Sequence, residues 1–465
     1  GLADTRPLMV GYAMRYFSTR NRSEGTDFAG AALGGLAPDG GLFVPGEIPS
    51  YAPAVLASLA SMSFHDIAFE TIKPYVCPEI PEAVLGDIIE AAYPFTAPLV
   101  SAGDRLALEL FHGPTAAFKD FGARFMARAF SYLRRGESRP LRILVATSGD
   151  TGGAVADGFF RVEGISVTVL YPKGRVSPLQ ERQIAGLGEN IDALAVEGSF
   201  DDCQRLVKAA FGDAKGDASP RKRRDLSSAN SINVSRLIPQ AVYYTAAAAA
   251  VFAGRVDPDG AATPRRSGTG AGGFLPKAKN PVTFAVPSGN FGNLTAGLYA
   301  MRMGAPIKGF IAATNVNRTV PDYLESGLYQ TRLSQATISN AMDVGAPSNF
   351  ERMNAHWSLE ELRRMLRGAW VSDDDTRKTI AAVYRNHGYY LDPHGAVGWK
   401  AADALETEGP LAVLATAHPA KFAETVEDLT GPVPRPPALD RVMERTVRAR
   451  TIPAEFSALA DALET

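Results

Sequence analysis

The sequence predicts an α/β fold in which parallel sheets are covered by helices. Two observations carry this. First, Leu141–Thr147 (LRILVAT) and Val282–Pro287 (VTFAVP) are continuous apolar, β-branched runs, the composition of strands buried on both faces. Second, each run leads directly into a glycine-rich loop, Ser148–Gly153 after the first and Ser288–Asn293 after the second. Strands that alternate with helical stretches imply parallel pairing. In such folds ligands bind at the carboxyl ends of strands, where both glycine loops fall.

Along the chain the elements follow in order. Residues 1–13 read as a loose, dispensable extension or an expression remnant, with Met14 a candidate natural start. A loop holding Gly113 and Pro114 runs into a helix that continues to about Arg135, with Phe118, Phe121, Phe125 and Ala129 on one apolar face. The Leu141–Thr147 strand comes next, then Ile165–Tyr171, closed by Pro172. Asp213–Arg224 is polar and charged and reads as a surface insertion; its Arg221–Arg224 run is the kind of short basic stretch that is usually solvated. Ala246–Ala250 is too short to span a bilayer and reads as helix. Arg255–Lys279, rich in Gly, Pro, Ala and Arg, reads as a flexible loop. The Val282–Pro287 strand follows, and Leu411–Ala415 is a late strand ending in Thr416-Ala417-His418-Pro419.

Composition narrows the function. The 465 residues are 46% hydrophobic with a formal net charge of -2, enough for a large core and without the basic excess of a nucleic-acid binder. Cys77 and Cys203 are the two cysteines, far apart, so neither a disulfide framework nor a metal cluster is expected and a reducing, cytoplasmic setting fits. No apolar run approaches the ~20 residues of a membrane span. His112, His394 and His418 have no metal-ligand spacing, and no metal is expected.

Three segments carry candidate chemistry. In Phe111–Gly122 (FHGPTAAFKDFG), Lys119 sits at the helix start. The helix dipole there disfavours a cation, and the neighbouring phenylalanines would desolvate it. Both effects favour a neutral amine able to form a Schiff base, although a solvent-facing helix lysine is the commoner use of the residue. In Ser288-Gly289-Asn290-Phe291-Gly292-Asn293, successive N–H groups at a helix start suit a phosphate, or the loop is a plain tight turn. Thr147–Gly153 offers hydroxyls and N–H groups at a strand end, for a carboxylate or simply as a helix cap.

Together these segments resemble the fold-type-II pyridoxal-phosphate enzymes, specifically the bacterial and fungal threonine synthase family. The resemblance extends through Met14–Arg20, Gly35–Pro45, Gly198–Gln204, Asn230–Gln240, Met342–Phe350, Asp392–His394 and Thr416–Phe422. The sequence departs from the family pattern at Val234-Ser235 and at Gly395.

The resemblance implies a tryptophan-synthase-β-like architecture of two open, mostly parallel sheets plus an N-terminal domain. The expected division is 14–100 for that domain, 101–136 with 270–465 for a large cofactor domain, 137–255 for a small α/β domain and 256–279 for an insertion. It also implies pyridoxal 5'-phosphate as cofactor, with Lys119 as its attachment and catalytic amine. Gly289, Asn290, Phe291, Gly292 and Asn293 then cradle the cofactor phosphate, and the Thr416 hydroxyl meets the pyridine nitrogen. The implied substrate is O-phospho-L-homoserine, converted with water to L-threonine and phosphate by a monomer or homodimer. A departing phosphate gains charge and calls for cations. Lys421 and Arg236 are the candidates, with Asn233 and Ser235 assisting. Ser148, Asp150 and Thr151 are candidates around the substrate carboxylate; Asp150 would repel an anion, so it is expected to orient the loop or to meet the cofactor ring hydroxyl. The competing readings are another fold-type-II lyase, such as threonine dehydratase or an amino-alcohol phospholyase, and a non-catalytic cofactor-binding homologue.

Overall fold

A computed structural model describes residues 13–212, 225–256, 279–405 and 408–464. The segments expected as insertions at 213–224 and 256–279, and most of 1–13, therefore lie outside the described residues or nearly so.

The strands in chain order are β1 (Tyr16–Ser18), β2 (Gly25–Thr26), β3 (Phe43–Pro45), β4 (Leu99–Ala102), β5 (Arg105–Glu109), β6 (Leu141–Ala146), β7 (Ile165–Pro172), β8 (Ile191–Glu197), β9 (Asp225–Ser228), β10 (Val282–Pro287), β11 (Ile307–Thr314), β12 (Leu366–Trp370), β13 (Leu411–Ala415) and β14 (Ala449–Pro453). They form three sheets, ordered β2-β1-β3, β12-β11-β10-β13-β5-β4 and β14-β8-β7-β6-β9. The first is antiparallel and belongs to the N-terminal part. The second is parallel except where β4 pairs with β5. The third is parallel throughout. This is the expected fold of two open, mostly parallel sheets with helical covers and an N-terminal domain.

The continuous apolar character of the strands has its cause here. Ile143, Val145, Val167 and Val169 bury into one core while Leu144, Ala146, Leu170 and Leu194 bury into another on the opposite face. A strand with helices on both faces has no solvent side to pattern. The expected strand ends agree to within a residue. Thr147 leaves β6 because its Oγ1 accepts from the N–H groups of Gly149 and Gly152, both at 2.9 Å, which turns the chain into the next helix.

Chain order and sheet membership part company at the carboxyl end. The expected division places all of 270–465 in the large cofactor domain, and within that stretch β14 pairs with β8 of the five-stranded sheet. The Phe456–Glu464 helix then packs on the helix Phe200–Gly212. The tail thus crosses back and ties the two sheets together.

The helix Lys119–Leu133 lies between the sheets. It packs against the helices Asp150–Phe159, Glu82–Ala92 and Val234–Leu237. Gly122 makes the last contact possible: a Cβ there would stand 2.7 Å from the Arg236 carbonyl oxygen. That close approach brings Arg236 beside the first turn, where Lys119 sits.

Candidate active site

The carboxyl ends of β6, β10 and β13 face a common cavity. It is lined by Lys119, Ser148, Asp150, Thr151, Arg236, Gly289, Asn290, Phe291, Gly292, Asn293 and Thr416, among others. Three strand ends, each more than a hundred residues from the next, therefore share one wall. Of the remaining expected residues, Asn233, Ser235 and Lys421 lie behind that wall, outside the lining.

Backbone pairing fixes Lys119 relative to Thr416. The Phe118 N–H donates to the Thr416 carbonyl at 2.8 Å and the His418 N–H to the Ala116 carbonyl at 3.0 Å. Lys119 is half-buried at the cavity wall. Among the described residues its Nζ has no ion-pair partner within bonding distance. Burial pushes the amine down to about 8; the Asp150 carboxylate opposes the shift, and the Arg236 and Lys421 cations reinforce it. A lysine poised near neutrality is what a nucleophilic amine requires.

The Ser288–Asn293 loop is built to present donors. Phe291 adopts a left-handed conformation at φ 61° before the helix Gly292–Met303, so successive N–H groups turn toward one point. The N–H groups of Asn290, Phe291 and Gly292 have no intramolecular acceptor among the described residues. Side chains brace the loop from behind. Asn293 accepts from the Ser288 hydroxyl at 2.8 Å and donates to the Pro287 carbonyl at 3.0 Å. Asn290 donates to Ser231 Oγ and accepts from the Ser348 N–H, both at 2.6 Å. At Gly289 a Cβ would meet the Ala341 carbonyl oxygen at 2.7 Å and Met342 Cα at 2.8 Å. Donor-only backbone, a helix N-terminus and a position closed to side chains fit a phosphate group, and together with the Lys119 amine and the Thr416 hydroxyl they fit pyridoxal phosphate.

The second glycine loop both caps a helix and faces the cavity. Thr147 performs the capping, which leaves the Ser148 and Thr151 hydroxyls without a partner among the described residues. Asp150 is buried. Burial would raise its carboxyl, but the Lys421 and Lys119 cations override that and hold it well below its ordinary range.

Cations divide differently from expectation. Lys421, expected at the substrate phosphate, has its ammonium 2.7 Å from Asp150 Oδ1 and 2.8 Å from the Thr115 carbonyl oxygen, with the side chain fully buried. Two buried partners, both protein, leave it committed away from the cavity. Asn233 caps the short helix Val234–Leu237: its Oδ1 accepts from the Ser235 N–H at 3.0 Å and the Ser235 hydroxyl at 2.7 Å. Its amide donates to the Ala32 and Ser228 carbonyls, so both residues serve the local fold. Arg236 does line the cavity. One guanidinium nitrogen donates to the Ala229 carbonyl at 2.5 Å, and its buried Nε has no partner among the described residues. Burial lowers the guanidinium to about 10.

Of the three histidines, the structure singles out His394. It lines the cavity, its Nδ1 lies 2.7 Å from Asp392 Oδ2, and its Nε2 accepts from the Ala341 N–H at 3.2 Å. Accepting at Nε2 puts the proton on Nδ1. His112 instead pairs with Glu109 at 2.8 Å. Among the described residues no group of His, Cys, Asp or Glu could hold a metal ion, and Cys77 and Cys203 are free thiols.

Sequence reasoning passed over Phe200, Gln204, Asn230, Ser231 and Gln240, all of which line the cavity. A signal existed, since they fall in Gly198–Gln204 and Asn230–Gln240, the segments that carry the family resemblance. Their chemistry alone did not mark them.

Comparison with known proteins identifies the family. Models of three families match: "Threonine synthase N terminus" over residues 15–93, "Pyridoxal-phosphate dependent enzyme" over 106–416 and "Threonine synthase, C-terminal" over 395–463. The chain is 40% identical to the threonine synthase of Serratia marcescens, over 96% of this chain and 98% of that one. It is 35% identical to that of Saccharomyces cerevisiae, over 89% and 88%. The crystal structure of the Escherichia coli threonine synthase superposes with a TM-score of 0.84 at 38% identity, covering 97% of this chain and 99% of that one. A PLP-bound threonine synthase from Brucella melitensis gives 0.84 at 36%, with the same coverage. A threonine deaminase from Solanum lycopersicum, at 14% identity and a TM-score of 0.51 over 75% of this chain and 93% of that one, shares the fold alone. The chain belongs to the threonine synthase family of pyridoxal-phosphate-dependent enzymes.

Proposed function

We propose that this cavity converts O-phospho-L-homoserine and water into L-threonine and phosphate. The observation that supports the reading is one cavity wall carrying two sets of donors of different character. One is the uncharged N–H cradle of Asn290–Gly292; the other is the guanidinium of Arg236. A resident phosphate that takes no part in bond breaking suits the first. A phosphate that leaves, gaining charge as the C–O bond breaks, suits the second.

When bound, pyridoxal phosphate supplies the electron sink that lets charge develop on the substrate's carbon chain. The protein's residues do the rest. Lys119 supplies the amine that attaches the cofactor. As a free amine it would take and return the proton at Cα, and burial, which lowers it to about 8, suits it to both transfers. The Gly289–Asn293 loop anchors the cofactor phosphate, with Asn290 and Asn293 holding its shape. The Thr416 hydroxyl would meet the pyridine nitrogen and, being neutral, would temper the sink. The Ser148 and Thr151 hydroxyls orient the substrate carboxylate. As a proton leaves Cβ, Arg236 would receive the phosphate departing from Cγ; water then adds its hydroxyl at Cβ, and protons return to Cγ and Cα.

A monomer or homodimer in the cytoplasm completes the proposal; no helix among the described residues is long and apolar enough to cross a membrane. The test is direct: purified holoenzyme supplied with phosphohomoserine should release threonine and phosphate in equal amounts. Release of ammonia with an oxo acid would overturn the reading.

A further inference from the structure

We infer that Lys421 is a positioning residue, whose buried ammonium neutralises Asp150 in the cavity wall and ties it to the loop that carries Lys119. The inference rests on the proposed substrate being a phosphate-bearing anion. Lys421 lies on the turn Pro419–Phe422 just after β13. Its Nζ reaches Asp150 Oδ1 at 2.7 Å and the Thr115 carbonyl oxygen at 2.8 Å. Neither bond is replaceable by water, because the Lys421 side chain is fully enclosed and that of Asp150 nearly so.

Each end of this strut is secured again. Gln180 Nε2 donates to the same Asp150 oxygen at 3.0 Å, and Gln183 Nε2 to the same Thr115 carbonyl at 3.0 Å. On its other side Thr115 donates from its N–H and its hydroxyl to Asp120, at 2.9 and 2.6 Å. Asp120 follows Lys119 in the first turn of its helix. The connected groups thus run from the Lys119 loop and the turn after β13, both on the six-stranded sheet, to the Asp150–Phe159 and Pro178–Ala185 helices on the five-stranded one.

The charge logic explains why a cation is needed there. An Asp150 carboxylate facing the cavity would repel a substrate that carries both a phosphate and a carboxylate. A buried carboxylate without a counter-charge also destabilises the fold. Lys421 removes both problems without touching substrate. Replacing it exposes the Asp150 charge, and removing that charge as well should undo part of the damage. A lysine that bonded the substrate phosphate directly would show no such recovery.

The experiment is a cycle of Lys421→Met, Asp150→Asn and the pair together, as holoenzymes, with Lys421→Arg as a conservative variant. Three quantities are read: the affinity for inorganic phosphate by calorimetric titration, the Tm, and KM against kcat. Lys421→Met should weaken phosphate binding by at least roughly tenfold and lower the Tm, the cost of stranding a buried charge. Adding Asp150→Asn should regain at least about threefold in phosphate affinity and part of the Tm, with the KM for phosphohomoserine following. Lys421→Arg should fall between Lys421→Met and the unaltered enzyme. Should Lys421→Met fail to fold, a double variant that folds and binds phosphate supports the strut by itself. Losses that add, with no recovery of phosphate affinity in the double variant, overturn the inference. Phosphate affinity and Tm need no turnover, so an enzyme that forms no threonine would sink the proposed function and leave this result standing or falling on its own.

Discussion

Replacing Gly289 by alanine tests the proposed phosphate cradle at its least forgiving point. The added Cβ would stand 2.7 Å from the Ala341 carbonyl oxygen and 2.8 Å from Met342 Cα. Both are backbone atoms, so no side-chain rotation relieves the contact. The turn they belong to is also held, by the Met342 N–H on the Ser339 carbonyl at 2.9 Å and the Ala341 N–H on His394 at 3.2 Å. The glycine loop must therefore be the part that moves. Ordinary contact begins at 3.4 Å, so the loop retreats by about 0.7 Å, which carries an N–H···O bond of normal length out of bonding range. Losing one such bond to a charged acceptor costs about 1.5–3 kcal/mol, or roughly a 10- to 150-fold weaker cofactor Kd. Gly292→Ala makes the sharper comparison, because its Cβ meets only the Asn349 side chain at 3.3 Å and Ser231 Cβ at 3.4 Å. It should lose only a few-fold by the same measure. The assay is absorbance titration of each apoenzyme with pyridoxal phosphate, with thermal unfolding of the apoenzyme to show that the fold survives. Equal affinities for Gly289→Ala and the unaltered enzyme, or a larger loss at Gly292, would refute the reasoning.

Other residues carry further expectations. Lys119→Ala should abolish threonine formation and the cofactor's visible band; borohydride reduction and peptide mapping that label a different lysine would remove Lys119 from its role. Because burial lowers the Lys119 amine to about 8 from an ordinary 10.5, the rate at which apoenzyme captures the cofactor should rise with pH up to about 8 and level off above it. A stopped-flow profile still climbing to 10.5 would show an amine that is not depressed. Arg236→Met should lose at least roughly tenfold in kcat/KM for phosphohomoserine, about 1.4 kcal/mol, with cofactor content unchanged. Turnover within experimental scatter would move the leaving phosphate to another group.

What could be read in the sequence follows from the range over which each signal acts. The strands at Leu141, Ile165, Val282 and Leu411 were legible because burial on both faces imposes an apolar run with no need of partners. The helix beginning at Lys119 was legible for a similar reason, a loop of Gly113 and Pro114 followed by a helical apolar face. Thr147 was misread by one residue, since a β-branched residue at a strand end also makes a good local cap. The crossing of β14 to the five-stranded sheet was not legible at all: nothing in Ala449–Pro453 states which edge it will join. Lys421 shows the same limit at the level of a side chain. Its distance in sequence from Thr416 bounded how far it could lie from the cavity, but not the direction in which it points. That direction is set by Asp150 and Thr115, residues some three hundred positions away.

The same long-range pairing accounts for why Asp150 can stand in a cavity proposed to receive a doubly anionic substrate. A lone carboxylate buried there would be protonated or excluded. Lys421, arriving from the six-stranded sheet, and Gln180, from the five-stranded one, both bond the Asp150 Oδ1 atom. The pair leaves little net charge in the wall. Lys119, nearby, is then depressed mainly by burial, with Arg236 and Lys421 adding to it and Asp150 opposing. If Lys421 were free to follow a departing phosphate, Asp150 would lose its counter-charge at the moment the cavity fills with negative charge. In the proposed reading a fixed Lys421 and a cavity-lining Arg236 divide the two tasks, so neutralising the wall and stabilising the leaving group need not compete for one cation.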